Sequence, residues 1–236
     1  MKSLPYLFLA FIALMLGTQH ASAHAVWLES SAKAMKGQAQ QVRVYYGEYA
    51  TGELEKTTAW YSDLKSLEVF LVKPDQSEEK LILQDKGDHF VTTFTPTEDG
   101  IYLIYTSHPT KDLGGKTRYE FTSQIAVQAG KSEAAAKSKL PYQLTIGTKA
   151  IKKGGKVAFQ ITKDGQPVKD QDVLLMSEAG WSKTFKTDAQ GIANVDVLWS
   201  GKYVAEFGHS EELKGTWHGQ EYTATWQGLT TSFSVK

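Results

Sequence analysis

The sequence predicts an all-β protein: two tandem Ig-like β-sandwich domains behind a cleaved signal peptide. Three observations carry that expectation. Short apolar-alternating runs recur from end to end, turn residues separate them, and helical periodicity is almost absent. A small, polar stretch near the middle divides the runs into two sets.

The chain opens with Lys2 and an unbroken apolar run over residues 7–16, followed by Gly17 and then Ala21-Ser22-Ala23. A run that short falls well below the roughly 20 residues that span a bilayer. With the small-x-small triplet behind it, it reads as a signal peptide over residues 1–23, cut after Ala23. Export without a single cysteine suits a Gram-negative periplasm, where adequate cores make disulfides unnecessary.

Six runs follow in the first half, at residues 42–46, 67–72, 81–83, 90–94, 101–105 and 119–127. Eight follow in the second, at residues 144–146, 157–162, 173–176, 182–186, 192–197, 203–207, 222–226 and 231–235. Residues 173–176 are continuously apolar, as a strand buried on both faces requires. Between the sets, residues 130–139 are small and charged and Pro141 closes them, too short a segment for a stable helix by itself. The expected organisation is therefore an N-terminal sandwich over 24–128, a linker over 129–142 and a C-terminal Ig-like sandwich over 143–236. Glu98-Asp99-Gly100-Ile101-Tyr102 and Trp199-Ser200-Gly201-Lys202-Tyr203 share one spacing, a Gly turn and then a strand with an early aromatic. They read as equivalent strands of two related sandwiches.

Twenty-six basic residues balance 26 acidic ones, which argues against a nucleic-acid partner, since phosphate neutralisation needs a clustered basic excess. The lack of cysteine removes thiolate zinc sites, iron–sulfur clusters and cysteine nucleophiles. Gly-x-Ser-x-Gly, a zincin helix motif and a Gly-rich phosphate loop are all absent, and the reading is of a protein that is not an enzyme.

Metal chemistry is the remaining signal. A cut after Ala23 makes His24 the first residue, with a free amine beside its own imidazole. The two nitrogens can chelate one ion in a ring closed to an internal histidine. His108 and His209 follow matching strands, at corresponding places on one rim, and Glu48 offers a carboxylate. His24, His108, His209 and Glu48 are thus the candidate metal ligands. His218 in the next loop, Glu211 and Glu212 are further donors, and His89 reads as solvated. Among the aromatics, Trp60-Tyr61 and Trp217 fall in loop-like sequence where they could stack on a sugar, whereas Trp27, Trp199 and Trp226 read as core strand residues.

The mature start His24-Ala25-Val26-Trp27-Leu28-Glu29, with Tyr46-Gly47-Glu48 after it, resembles a periplasmic domain family of unknown function associated with nickel and cobalt uptake. The turn signatures Asp164-Gly165-Gln166-Pro167-Val168, Thr187-Asp188-Ala189-Gln190-Gly191 and Ser200-Gly201-Lys202-Tyr203 are similar to those of the carboxypeptidase regulatory module, an Ig-like unit. The resemblance implies a metal role for His24 and for His209. Where the family often carries Gly-His, this chain has Gly47-Glu48, a harder and less nitrogen-rich site that leaves cobalt, zinc, iron or copper open beside nickel. The expected function is a periplasmic transition-metal-binding accessory protein that hands its ion to a membrane transporter. Alternatives are a histidine-brace copper mono-oxygenase and a metal-free carbohydrate- or protein-binding Ig-like module.

Overall fold

The computed structural model describes residues 24–236, so the expected signal peptide lies outside the described residues. In chain order the first half holds β1 (Ala25–Glu29), β2 (Lys33–Ala34), β3 (Gln40–Glu48), β4 (Glu53–Leu54), β5 (Val69–Val72), β6 (Glu78–Leu81), β7 (Gln84–Asp85), β8 (Phe90–Phe94), β9 (Gly100–Pro109) and β10 (Thr117–Ala129). The second half holds β11 (Tyr142–Ile146), β12 (Lys156–Lys163), β13 (Gln166–Pro167), β14 (Asp172–Ser177), β15 (Ser182–Lys186), β16 (Ile192–Asp196), β17 (Gly201–Glu211), β18 (Gly215–Trp217), β19 (Gln220–Tyr222) and β20 (Ala224–Val235). Two short 3-10 turns, Thr57–Ala59 and Leu64–Ser66, are the helical elements described. The chain is all-β, with its strands packed as β-sandwiches.

The runs expected at 222–226 and 231–235 belong to one strand, β20. Gly228 lies between them in unbroken register with Gly208 of β17, so the glycine does not end the ladder.

One sheet serves both halves. Its order is β15-β14-β17-β20-β10-β9-β5-β6, and β20 and β10 meet in parallel from Thr117 opposite Ala224 to Ser123 opposite Thr230. On either side the pairing is antiparallel and follows the same plan: β17, β14 and β15 outward from β20, and β9, β5 and β6 outward from β10. A half-turn about an axis running along the strands, between β10 and β20, carries one set of four onto the other. Such a rotation keeps strand direction and exchanges the faces of the sheet.

The cores obey that exchange. Tyr102 and Ile104 of β9 and Phe121, Ile125 and Val127 of β10 bury against Val26, Leu28, Val44 and Phe90 of the small sheet β1-β3-β8-β7. Tyr203, Ala205 and Phe207 of β17 and Leu229, Phe233 and Val235 of β20 bury against Leu144, Phe159 and Val195 of the sheet β11-β12-β16. A third cluster joins the halves: Trp27 and Tyr49 pack on Met176 of β14 and Val204 of β17, on the side away from the C-terminal core. β14 is thus buried on both faces, as its continuous apolar run requires.

The two equivalent strands carry the same device. Tyr102 and Tyr203 are buried, and each hydroxyl donates to the carbonyl four residues back, Glu98 at 3.1 Å and Trp199 at 2.9 Å. Each also accepts from the amide of that same residue, at 3.1 and 3.2 Å. This is the tyrosine-corner geometry of Ig-like sandwiches, once per half.

The connection over 130–141 is laid down rather than free. The Ile101 amide donates to Ala134 O, the Ala136 amide donates to Ile101 O, and Leu140 buries against Val72, Leu103 and Tyr105.

Candidate metal centre

His24 stands at the foot of β1, where the N-terminal small sheet meets the shared sheet. Ala25 pairs with Gly47 of β3, so the next position along the ladder sets His24 beside Glu48. Gly47 has to be glycine. A Cβ there would lie 2.2 Å from the Glu53 carbonyl oxygen, because β4 folds back against it with Leu54 opposite Gly47 and Glu53 opposite Glu48.

That fold-back delivers Glu55. Its Oε1 lies 3.1 Å from His24 Nε2, and the imidazole leans on Tyr46 with ring centroids 5.3 Å apart. Both partners are about a third exposed, 34% and 29% of their side chains, so the contact is neither dry nor fully solvated. A carboxylate only accepts, so Nε2 carries the proton, and in the neutral ring the lone pair falls on Nδ1.

Glu48 is buried, with Oε1 3.4 Å from the Ala50 amide. Across from it lies Glu206 of β17, which shares a rung with Thr230. The Thr230 hydroxyl donates to Val26 O at 2.7 Å, which puts Glu206 one strand away from the seat of β1. Burial pushes the Glu206 carboxyl up, and the charge of Glu48 adds to it, to about 7. Tyr46 beside His24 is pushed up to about 12, by burial first and then by Glu55.

Sequence reasoning missed both Glu55 and Glu206. Glu206 had a signal, as the one charged residue in the apolar run 203–207. Glu55 had none, since its place depends on the turn after β3.

The other candidate ligands are held elsewhere. His108 and His209 do not follow their strands; they lie within β9 and β17. His108 Nε2 lies 3.1 Å from Asp63 Oδ1. Burial pushes Asp63 up, but the Lys111 amide and the His108 imidazole outweigh it and hold that carboxyl below its usual range. His209 Nε2 lies 3.3 Å from the Tyr142 hydroxyl, with its ring near Phe207, so it belongs to the C-terminal core's side of the shared sheet. The face exchange therefore separates His209 from His24. His89 is near Asp88 and stacks with Tyr45, and His218 packs edge-on to Trp217. Among the described residues no three His, Asp or Glu side chains come close enough to hold a metal ion.

Three aromatic expectations also change. Trp60 is buried in the N-terminal core and donates to Glu55 O at 3.1 Å, so it offers no sugar platform. Trp217 donates to Thr110 O at 2.8 Å and lies under the Arg118 guanidinium. Trp199 is 38% exposed rather than a core residue, because it precedes the turn at Gly201 and packs on Trp181 instead. Trp27 and Trp226 pack in cores as expected.

Residues 21–211 match the family described as a domain of unknown function, DUF4198, and the chain belongs to that family. The match stops short of β20, the strand on which both halves meet. No curated protein matches the chain. Among solved structures it is similar to a Salmonella alpha-2-macroglobulin reacted with methylamine, at 10% identity and a TM-score of 0.32, over 87% of this chain and 14% of that one. It is also similar to an Escherichia coli alpha-2-macroglobulin activated by porcine elastase, at 11% identity and a TM-score of 0.32, over 88% and 20%. The chain therefore spans a small fraction of those proteins, and a likeness so slight carries no argument.

Proposed function

We propose that the protein is a periplasmic, non-enzymatic carrier of a divalent transition metal of the nickel and cobalt class, passing its ion to a membrane transporter. The observation behind this reading is the contact between His24 Nε2 and Glu55 Oε1 at 3.1 Å. Metal-bound histidines commonly donate their other ring nitrogen to a carboxylate, which fixes tautomer and orientation and raises ligand basicity. Here the arrangement leaves Nδ1 for the ion, together with the amine that a cut after Ala23 would create.

In this reading Glu48, beside His24 on the neighbouring strand, supplies an oxygen ligand. His108 and His209 drop out of the ligand set. Two nitrogens and a carboxylate make an open set, suited to capture and release rather than to permanent retention. The donor mix admits cobalt, zinc, iron or copper beside nickel, and the choice among them is left to the assay.

Mass spectrometry of the exported chain, with a thermal-shift series across nickel, cobalt, copper, zinc and iron, tests the reading. The expected result is a chain starting at His24, stabilised by at least one ion, with the shift lost in His24→Ala. A different first residue, or shifts indifferent to His24→Ala, would end it.

A further inference from the structure

A second feature lies where the two halves meet, away from His24. A cleft of about 480 Å3 opens between the turn after β1, the start of β3, the segment 147–151 and the ends of β17 and β20. Five cationic side chains line it, Lys33, Arg43, Lys149, Lys202 and Lys236, against one carboxylate, Glu29. In a chain with 26 charges of each sign, five to one is a strong local excess.

That one carboxylate is already used. Glu29 Oε2 lies 2.7 Å from Lys202 Nζ, and its other oxygen accepts from Trp27 Nε1 at 3.1 Å. Lys33 donates only to the neutral amide of Gln128. Arg43, Lys149 and Lys236 form no side-chain hydrogen bond or ion pair with any described residue. Arg43 is also partly buried, so its planar fork is held at the cleft while no described side chain takes it as a partner.

From this placement we infer that the cleft binds a ligand bearing two or more phosphate groups. A singly charged anion would leave most of the lining uncompensated, whereas each terminal phosphate carries nearly two charges near neutral pH. A half-buried guanidinium matches phosphate with two parallel hydrogen bonds, and the flexible lysines serve as point charges around it. Of the hydroxyls between the cations, those of Ser30, Ser31, Thr148 and Ser232 already donate within the fold, which leaves Ser234 as a further donor. The same chemistry is available from a soluble polyphosphate and from several phosphate headgroups that meet the cleft together on a lipid surface.

Calorimetric titration of metal-free mature protein with inorganic tripolyphosphate, at about 50 and 200 mM salt, tests the first source. Co-sedimentation with phosphatidylglycerol vesicles, against phosphatidylcholine vesicles, tests the second. The expected result is binding to at least one probe that weakens as salt rises, because released counterions drive it. Arg43→Gln and Lys149→Gln should each lower affinity about tenfold, as loss of a charge-assisted contact does. Lys156→Gln, which removes the partner of Asp196 outside the cleft, should change nothing. Tripolyphosphate binding alone assigns the soluble source, and binding to the anionic vesicles alone assigns the headgroup. His24→Ala should leave either interaction intact, which keeps this site separate from the metal reading. The inference is overturned if neither probe binds, if Arg43→Gln and Lys149→Gln bind as the parent does, if Lys156→Gln loses as much as they do, or if citrate binds as tightly as tripolyphosphate.

Discussion

At the scale of the residue, Glu55 is the most informative side chain in the molecule. It touches His24 directly and, in the metal reading, orients the imidazole without touching the ion. Removing such an outer partner typically costs 10–100-fold in metal affinity. Glu55→Gln should therefore weaken binding by about that factor while leaving the metal-free melting temperature nearly unchanged, since the pair is solvent-screened. Equal affinity in parent and variant would exclude the role. Glu206 makes a different prediction. Its folded carboxyl ionises at about 7 and its unfolded reference is 4.5, so the folded chain holds the extra proton between those values. Its contribution is fully present below pH 4.5 and is lost as pH rises through 7. In metal-free protein, Glu206→Gln should flatten the fall in melting temperature across that window and make the protein more stable than the parent at pH 8. An unchanged pH profile would show that the carboxyl is not desolvated.

The elements show how little local sequence it takes to seat the site and how much depends on one turn. The hairpin from β3 into β4 closes only because Gly47 has no side chain. Gly47→Ala should push β4 away, carry Glu55 off His24 and lower metal affinity at least as far as Glu55→Gln does. A calorimetric titration that finds parent affinity would contradict that coupling. The two tyrosine corners act at the same scale. Tyr203→Phe leaves the Trp199 amide and carbonyl without their partner, an expected cost of about 1–3 kcal/mol, readable in urea unfolding as a lower midpoint at unchanged slope. Tyr102→Phe should cost at least as much, because its hydroxyl also accepts from the Thr97 amide.

Viewed whole, the molecule is a duplicated sandwich joined through a shared sheet. Trp226, from the last strand, packs against the N-terminal core, and the Thr230 hydroxyl ties down Val26. Separate unfolding of the halves would expose the β10 and β20 edges, an unfavourable outcome for two long central strands. Heating should give one transition, coincident by tryptophan fluorescence and by far-ultraviolet dichroism. Residues 24–140 expressed alone should melt lower than the full chain or self-associate through β10. Two well-separated transitions in the full chain would refute the coupling.

Much of this was legible in the chain itself. Alternation gave the strands at 90–94 and 182–186 to the residue, since both are short segments bounded by turn residues. The Gly-x-Tyr spacing marked β9 and β17 as equivalents, and His24 stood out through its position behind the expected leader. Strand ends were less clear, because β9 and β17 continue past their apolar stretch into polar residues that the ladder still pairs.

Amino-acid order determined the all-β class and the repeat, because each is fixed by spacing along one chain, and it singled out His24 as an expected ligand. Only tertiary structure decided which groups meet. His108 and His209 occupy the same place in their repeats, yet the half-turn relating the repeats puts them on opposite faces of the shared sheet. Glu55 reaches His24 through a hairpin, and Glu206 comes near Glu48 from a strand far along the chain. Spacing records distance along the backbone, whereas a ligand set depends on which face each strand presents, and that is settled when the sheets pack.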